Sequence, residues 1–204
     1  MVLIGEERNL VPDDLLEAHC DPFFRECRAY GRLEEKKLNG KVAARCYGYI
    51  TIPYKEEDQL LREFRVGDWD RPDADYDLPE SERQPLRAIV KELILKDVPL
   101  TGKVADRILK DMKRMRRCGV YPRDVHPRNY VGGLLVDLSE AMTKPYWLFQ
   151  IRPSQGEMIK YKELYKWQKM VEENHLDAHL RAVRNKEYCK KLRRPKAKAK
   201  RAKR

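Results

Sequence analysis

The chain has 204 residues, enough for one domain with a tail, and its 42% hydrophobic content supports a core while 38% charged residues imply a broad solvated surface. No run of 18 apolar residues occurs, and residues 1–7 lack the basic start and long apolar stretch of a signal peptide, so an intracellular protein without a membrane span is expected. The net charge of +11 belongs to the tail: residues 181–204 hold 13 Lys/Arg against one Glu, which leaves residues 1–180 at about −1.

In chain order, Pro12-Asp13-Asp14 marks a helix start. Asp21-Pro22 opens a second helix, in which Phe23, Phe24, Cys27, Tyr30 and Leu33 to Leu38 recur at roughly helical spacing and which Asn39-Gly40 closes. Val42 to Ile52 is rich in β-branched and aromatic residues and predicts a strand that Pro53 stops. Residues 54–84 are acidic and predict a solvated insertion. Pro85 to Leu95 predicts a buried strand, and Pro99-Leu100-Thr101-Gly102 a turn. Val104, Ile108, Leu109, Met112 and Met115 lie on one face of a helix that Gly119 ends. A loop over 121–128 leads to a strand at 129–131, a Gly132-Gly133 turn and a strand at 134–138, because paired glycines tolerate the positive φ of a tight hairpin. An amphipathic helix is predicted from Met158 to about Arg184, followed by a Lys/Arg/Ala tail of low complexity.

Five cysteines, at 20, 27, 46, 118 and 189, are odd in number and lack CxxC spacing, so reduced thiols, mostly in the core, are expected rather than disulfides or a zinc site. His126 reads as a loop-packing residue. His175 and His179 have the i, i+4 spacing that can bind metal on a helix, but with no HExxH pattern and no third ligand a metal is not expected there. Tyr161, Tyr165 and Trp167 read as packing residues.

The chemistry-bearing order is helix, loop, Asp124, Asn129 five residues later, tight hairpin, Asp137. A hairpin brings its ends together, so Asn129 and Asp137 are expected to face one another. This order resembles the protein-kinase catalytic segment, in which an Asp accepts the proton of the attacking hydroxyl while an Asn and a second Asp hold Mg²⁺ against the phosphates. The resemblance implies Arg123 and Asp124 as catalytic residues and Asn129 and Asp137 as metal ligands, since Mg²⁺ takes oxygen donors. It further implies that Glu92 and Leu93 lie where adenine would meet the backbone, and that Glu26 is the ion-pairing glutamate of the helix over 22–38. Departures are clear. Pro122 replaces the loop histidine, Asp137-Leu138-Ser139 replaces Asp-Phe-Gly, no lysine precedes Lys36 to partner Glu26, and no glycine-rich phosphate loop is present.

Over roughly residues 20–153 the chain is similar to a fungal kinase-like group that contains the Fta-two subunit of the Sim-four kinetochore complex. The resemblance is carried by Glu26-Cys27-Arg28-Ala29-Tyr30, Arg45-Cys46-Tyr47-Gly48-Tyr49, Arg123-Asp124, Asn129-Tyr130-Val131-Gly132-Gly133 and Leu135-Val136-Asp137. It implies an α+β, protein-kinase-like fold with a truncated N-lobe and a minimal C-lobe. The expected organisation is an N-terminal segment (1–19), the kinase-like domain (20–153, with the acidic insertion 54–84), a helix (154–184) and a basic tail (185–204).

The missing lysine and glycine loop favour a degenerate or truncated kinase-like protein with protein partners and a binding or scaffold role. Two alternatives stay open. One is an active phosphotransferase with Mg²⁺ and ATP as cofactors and Asp124 as base, with no cofactor expected otherwise. The other is an adaptor that contacts nucleic acid through residues 190–204. The tail suits a nuclear protein, with the cytoplasm as the second choice.

Overall fold

The computed structural model describes residues 12–65, 75, 77–79, 82–95, 98–146 and 153–182. The chain is α+β, as expected. The basic tail at 185–204 lies outside the described residues, and so does most of the stretch from 66 to 81.

Helix α1 (Asp13–Cys20) leads into α2 (Pro22–Glu35). Asp21 caps α2, its carboxylate accepting from the N–H groups of Phe23 and Phe24, and Pro22 occupies the first turn, where a missing N–H costs nothing. Strand β1 (Cys46–Ile52) starts four residues later than predicted. Val42, Ala43 and Ala44 are buried, but the segment makes only isolated bridges, Ala43 with Asn39 and with Leu135.

The start of the expected solvated insertion, read as loop, is instead a helix, α3 (Tyr54–Phe64), most of whose residues are exposed. Glu56 and Glu57 sit in its first turn, where carboxylates oppose the positive end of the helix dipole. Its acidity supports a helix start rather than a loop. Strand β2 (Leu86–Lys91) pairs antiparallel with β1, Tyr49 opposite Ile89 and Cys46 opposite Lys91, with a bulge between Cys46 and Gly48. The predicted strand is too long and too buried. It stops at Lys91, and Leu93 and Leu95 are more than four-fifths exposed.

Helix α4 (Gly102–Arg117) is capped by Thr101, and its buried Ala105, Ile108, Leu109, Met112 and Met115 form the centre of the core. After it come β3 (Val120–Tyr121), a 3-10 turn (Pro127–Asn129), β4 (Tyr130–Val131), β5 (Leu134–Leu135) and β6 (Met142–Thr143). Gly132 and Gly133 form the β4–β5 turn with φ of 60° and 78°, as the paired glycines predict. Three two-stranded sheets result among the described residues, β1–β2, β3–β6 and β4–β5.

Helix α5 (Pro153–Glu173) begins and ends earlier than predicted. His175 takes a left-handed φ of 50°, and the chain turns back so that the N–H groups of His179 and Leu180 donate to Asp106 on α4. His175 and His179 therefore do not share a helical face. Trp167 is fully buried and its indole N–H donates to the Ala105 carbonyl at 3.0 Å, the packing role expected of it, whereas Tyr161 and Tyr165, expected to pack as well, are more than half exposed. Cys20, Cys27, Cys46 and Cys118 are free thiols of intermediate burial, at the margin of the core rather than within it. No helix among the described residues is long and apolar enough to cross a membrane.

Candidate functional site

The loop after β3 presents Asp124, and the hairpin that follows brings Asn129 to the neighbourhood of Asp137. The Val136 N–H donates to the Asn129 carbonyl at 2.9 Å, closing the hairpin one pair beyond its strands. Asn129 is buried, and its amide nitrogen donates to the Asp124 carboxylate at 2.8 Å and to the Asp124 carbonyl at 3.1 Å. The amide oxygen is thus the donor atom Asn129 has left for a cation. Asp137 accepts from the Ser139 N–H at 2.8 Å through Oδ1, which leaves Oδ2.

Asp124 is ringed by cations. Arg128 lies 3.5 Å from its Oδ2, and Lys166 of α5 lies 3.8 Å from its Oδ1 while donating to the Arg123 carbonyl at 2.8 Å. Burial alone would raise the Asp124 pKa. The Asn129 hydrogen bond, Lys166 and Arg128 outweigh it and hold the carboxyl below its ordinary value. An acid so stabilised stays ionised and is a weak proton acceptor. Arg123 pairs with Glu140 at 3.7 Å, and Glu140 also lies 3.5 Å from Arg25 on α2, so this arginine ties the loop to the N-terminal helices.

Glu26 does have a lysine, supplied by β2. Lys91 Nζ donates to Glu26 Oε1 at 2.6 Å and to the Val136 carbonyl at 2.7 Å, while Glu26 Oε1 also accepts from the Leu138 N–H at 3.0 Å. One buried carboxylate and one ammonium therefore join α2, β2 and both sides of Asp137. The expectation that Glu26 lacks a partner is corrected: it looked only upstream of the helix, and the partner lies 65 residues downstream. Glu92 is engaged with Arg45, its N–H donating to the Arg45 carbonyl at 2.8 Å and its Oε1 accepting from the Arg45 N–H at 2.7 Å. That N–H continues the β1–β2 pairing and is not free for an adenine, while Leu93 is open to solvent.

Among the described residues, no group of three or more His, Cys, Asp or Glu side chains converges to hold a metal ion. The oxygens available at this site are those of Asn129 and Asp137, a pair that would suit Mg²⁺ carried in on phosphates, since this ion keeps several outside ligands.

Residues 6–142 match the family model described as kinetochore Sim4 complex subunit FTA2. The chain belongs to this family. The match spans α1 through the start of β6 and so includes Glu26, Lys91, Asp124, Asn129 and Asp137. No curated protein and no solved structure matches the chain. Family membership carries the kinetochore-subunit part of the resemblance read from the sequence.

Proposed function

We propose that this chain is a nuclear, protein-binding subunit of the Sim4 kinetochore complex, built on a kinase-like scaffold and acting by binding rather than by phosphoryl transfer. The observation that carries this reading is that Asp124 is held ionised among cations and that the backbone expected to meet adenine is already engaged. Asn129 secures Asp124, Lys166 and Arg128 surround it, and the Glu92 N–H is spent on Arg45. Family membership supports the assembly and the nuclear location. The test replaces the endogenous chain with a fluorescent Asp124→Asn/Asp137→Ala variant. Kinetochore localisation equal to wild type supports the reading. Loss of localisation by a variant that still folds overturns it.

A second reading, an active phosphotransferase, is favoured by a lysine. Lys91 stands beside Glu26 and one residue from Asp137, where an ammonium supports bound phosphates. In that reading Asn129 and Asp137 hold Mg²⁺, which neutralises phosphate charge, and Asp124 orients the acceptor hydroxyl. The two readings part at ATP binding.

A further inference from the structure

Between α2 and the β1–β2 sheet lies a cavity of about 540 Å³, a size that suits bulky side chains or a small ligand. Cys27, Tyr30, Gly31 and Glu34 line it from α2 at i, i+3, i+4 and i+7, one face of the helix. Tyr47 and Tyr49 line it from one face of β1, and Ile89 joins them from β2, paired opposite Tyr49. The walls are tied to one another. The Asn39 amide nitrogen donates to Glu34 of α2 at 2.7 Å and to the Cys46 carbonyl of β1 at 2.9 Å, while its oxygen accepts from the Cys46 N–H at 2.8 Å. The Glu26–Lys91 pair staples β2 to the same helix, and Phe23 meets the Tyr49 ring edge-on at 5.6 Å.

Two features separate this cavity from an ordinary surface cleft. The first is its aromatic wall. Tyr47 and Tyr49 are 67% and 64% exposed on the same strand face, and clustered apolar surface of this kind marks interaction sites. The second is Gly31. It stands inside α2, where glycine is the least favourable residue after proline, and a Cβ there would meet nothing within 4 Å, so internal packing does not demand it. Gly48, at the β1 bulge, has a φ of 134° that accounts for it, whereas Gly31 sits in a helix that any residue could continue. What glycine provides at position 31 is bare backbone that a flat group can approach closely. The charged residues of the lining are one acid and one base, Glu34 and Arg45, so the cavity presents no cationic field to a phosphate or a nucleic-acid backbone.

We propose that this cavity receives an aromatic side chain of a protein partner. A flat ring fits against the Gly31 backbone and meets the rings of the tyrosine wall, an arrangement that contributes beyond area burial alone. Bulky aromatic residues are also the usual anchors of protein interfaces, seated in well-packed pockets. The family is one of complex subunits, and the proposal rests on the protein-binding role above for its choice of a protein as the source of the ring. The cavity shares no lining residue with the Asp124–Asp137 site, so its failure leaves the reading of that site untouched.

The test titrates the isotope-labelled full chain with N-acetyl-tryptophanamide and follows backbone amide shifts by NMR. N-acetyl-leucinamide and free indole are the comparison probes. The variants are Gly31→Leu, which places a side chain in the open space beside that residue, and Tyr47→Ser at an exposed position. The expected result is saturable shifts clustered at residues 30–31 and 47–49, with the tryptophan amide bound about tenfold or more tighter than the leucine amide. Binding is lost in Gly31→Leu and weakened in Tyr47→Ser, while both variants keep the wild-type fold by their amide spectra. Equal binding of the two amides, shifts centred elsewhere, or undiminished binding by both variants overturns the proposal. Free indole bound far more tightly than the tryptophan amide also overturns it, by marking a small-molecule site, and so does self-association that Gly31→Leu abolishes, by making a second copy the occupant.

Discussion

Replacing Lys91 by methionine should destabilise the fold by about 2–3 kcal/mol, because a buried carboxylate that loses its partner costs roughly 3–5 kcal/mol and this pair is not fully buried. The Lys91 side chain is 24% exposed and that of Glu26 10%, which places the pair toward the lower end. Methionine keeps the apolar stem but removes both donations, to Glu26 at 2.6 Å and to Val136 at 2.7 Å. Glu26 would keep only the Leu138 N–H. The double variant Lys91→Met/Glu26→Gln should recover part of the loss, with a coupling energy of about 1–2 kcal/mol. Urea unfolding followed by tryptophan fluorescence reads this directly, since Trp167 is fully buried. A chain of this size should lose about 5–10 °C in Tm in parallel. A Lys91→Met variant within about 0.5 kcal/mol of wild type, or a coupling near zero, would refute the staple.

Glu163 gives the chain a pH dependence of known sign. Burial lifts its folded pKa to about 8, above the ordinary 4.5, so its contribution is full below pH 4.5, falls as pH rises toward 8, and is flat above. Arg116, Arg123 and Tyr130 face it, and only the arginines favour its charged form. Glu163→Gln should flatten Tm between pH 5 and 8, and an unchanged slope would show that the decline arises elsewhere. Gly102→Ala should destabilise by about 1–3 kcal/mol, since an added Cβ would meet the Asp177 carbonyl oxygen at 1.9 Å and push the 174–182 segment off α4. Gly31→Ala meets nothing within 4 Å in mid-helix and should stabilise by about 0.5–1 kcal/mol. Denaturation midpoints check both, and equal effects of the two changes would refute the steric argument.

Local signals were legible and long-range ones were not. The stripe Ile108, Leu109, Met112 and Met115 with Thr101 ahead of it specified α4, and Gly132-Gly133 specified the β4–β5 turn, because cap and pattern lie within a few residues of each other. The α3 helix went unread because its acidic residues resembled a solvated loop, although Glu56 and Glu57 suit a helix start. The end of α5 was placed too late because the residues after Glu173 remain apolar at intervals. Leu176, Ala178, Leu180 and Ala182 do pack on the core, but as an irregular segment held by Asp106. Asp124, Asn129 and Asp137 could be listed together from spacing. That Lys91 would reach Glu26 and Lys166 would reach Asp124 depends on tertiary closure across 65 and 42 residues, which no local pattern encodes. A lysine on a strand ending beside an acidic helix was the one available hint.

The proposal that this chain acts by binding and does not handle nucleotide is tested most directly by a thermal-shift titration with ATP and Mg²⁺ on the wild type and on Asp137→Ala. A ligand at 100 times its Kd stabilises a fold by about 2.7 kcal/mol, well within detection. The account predicts no shift in either protein at millimolar ATP. A Mg²⁺-dependent shift in the wild type that disappears in Asp137→Ala would contradict it and establish the site as a working nucleotide centre.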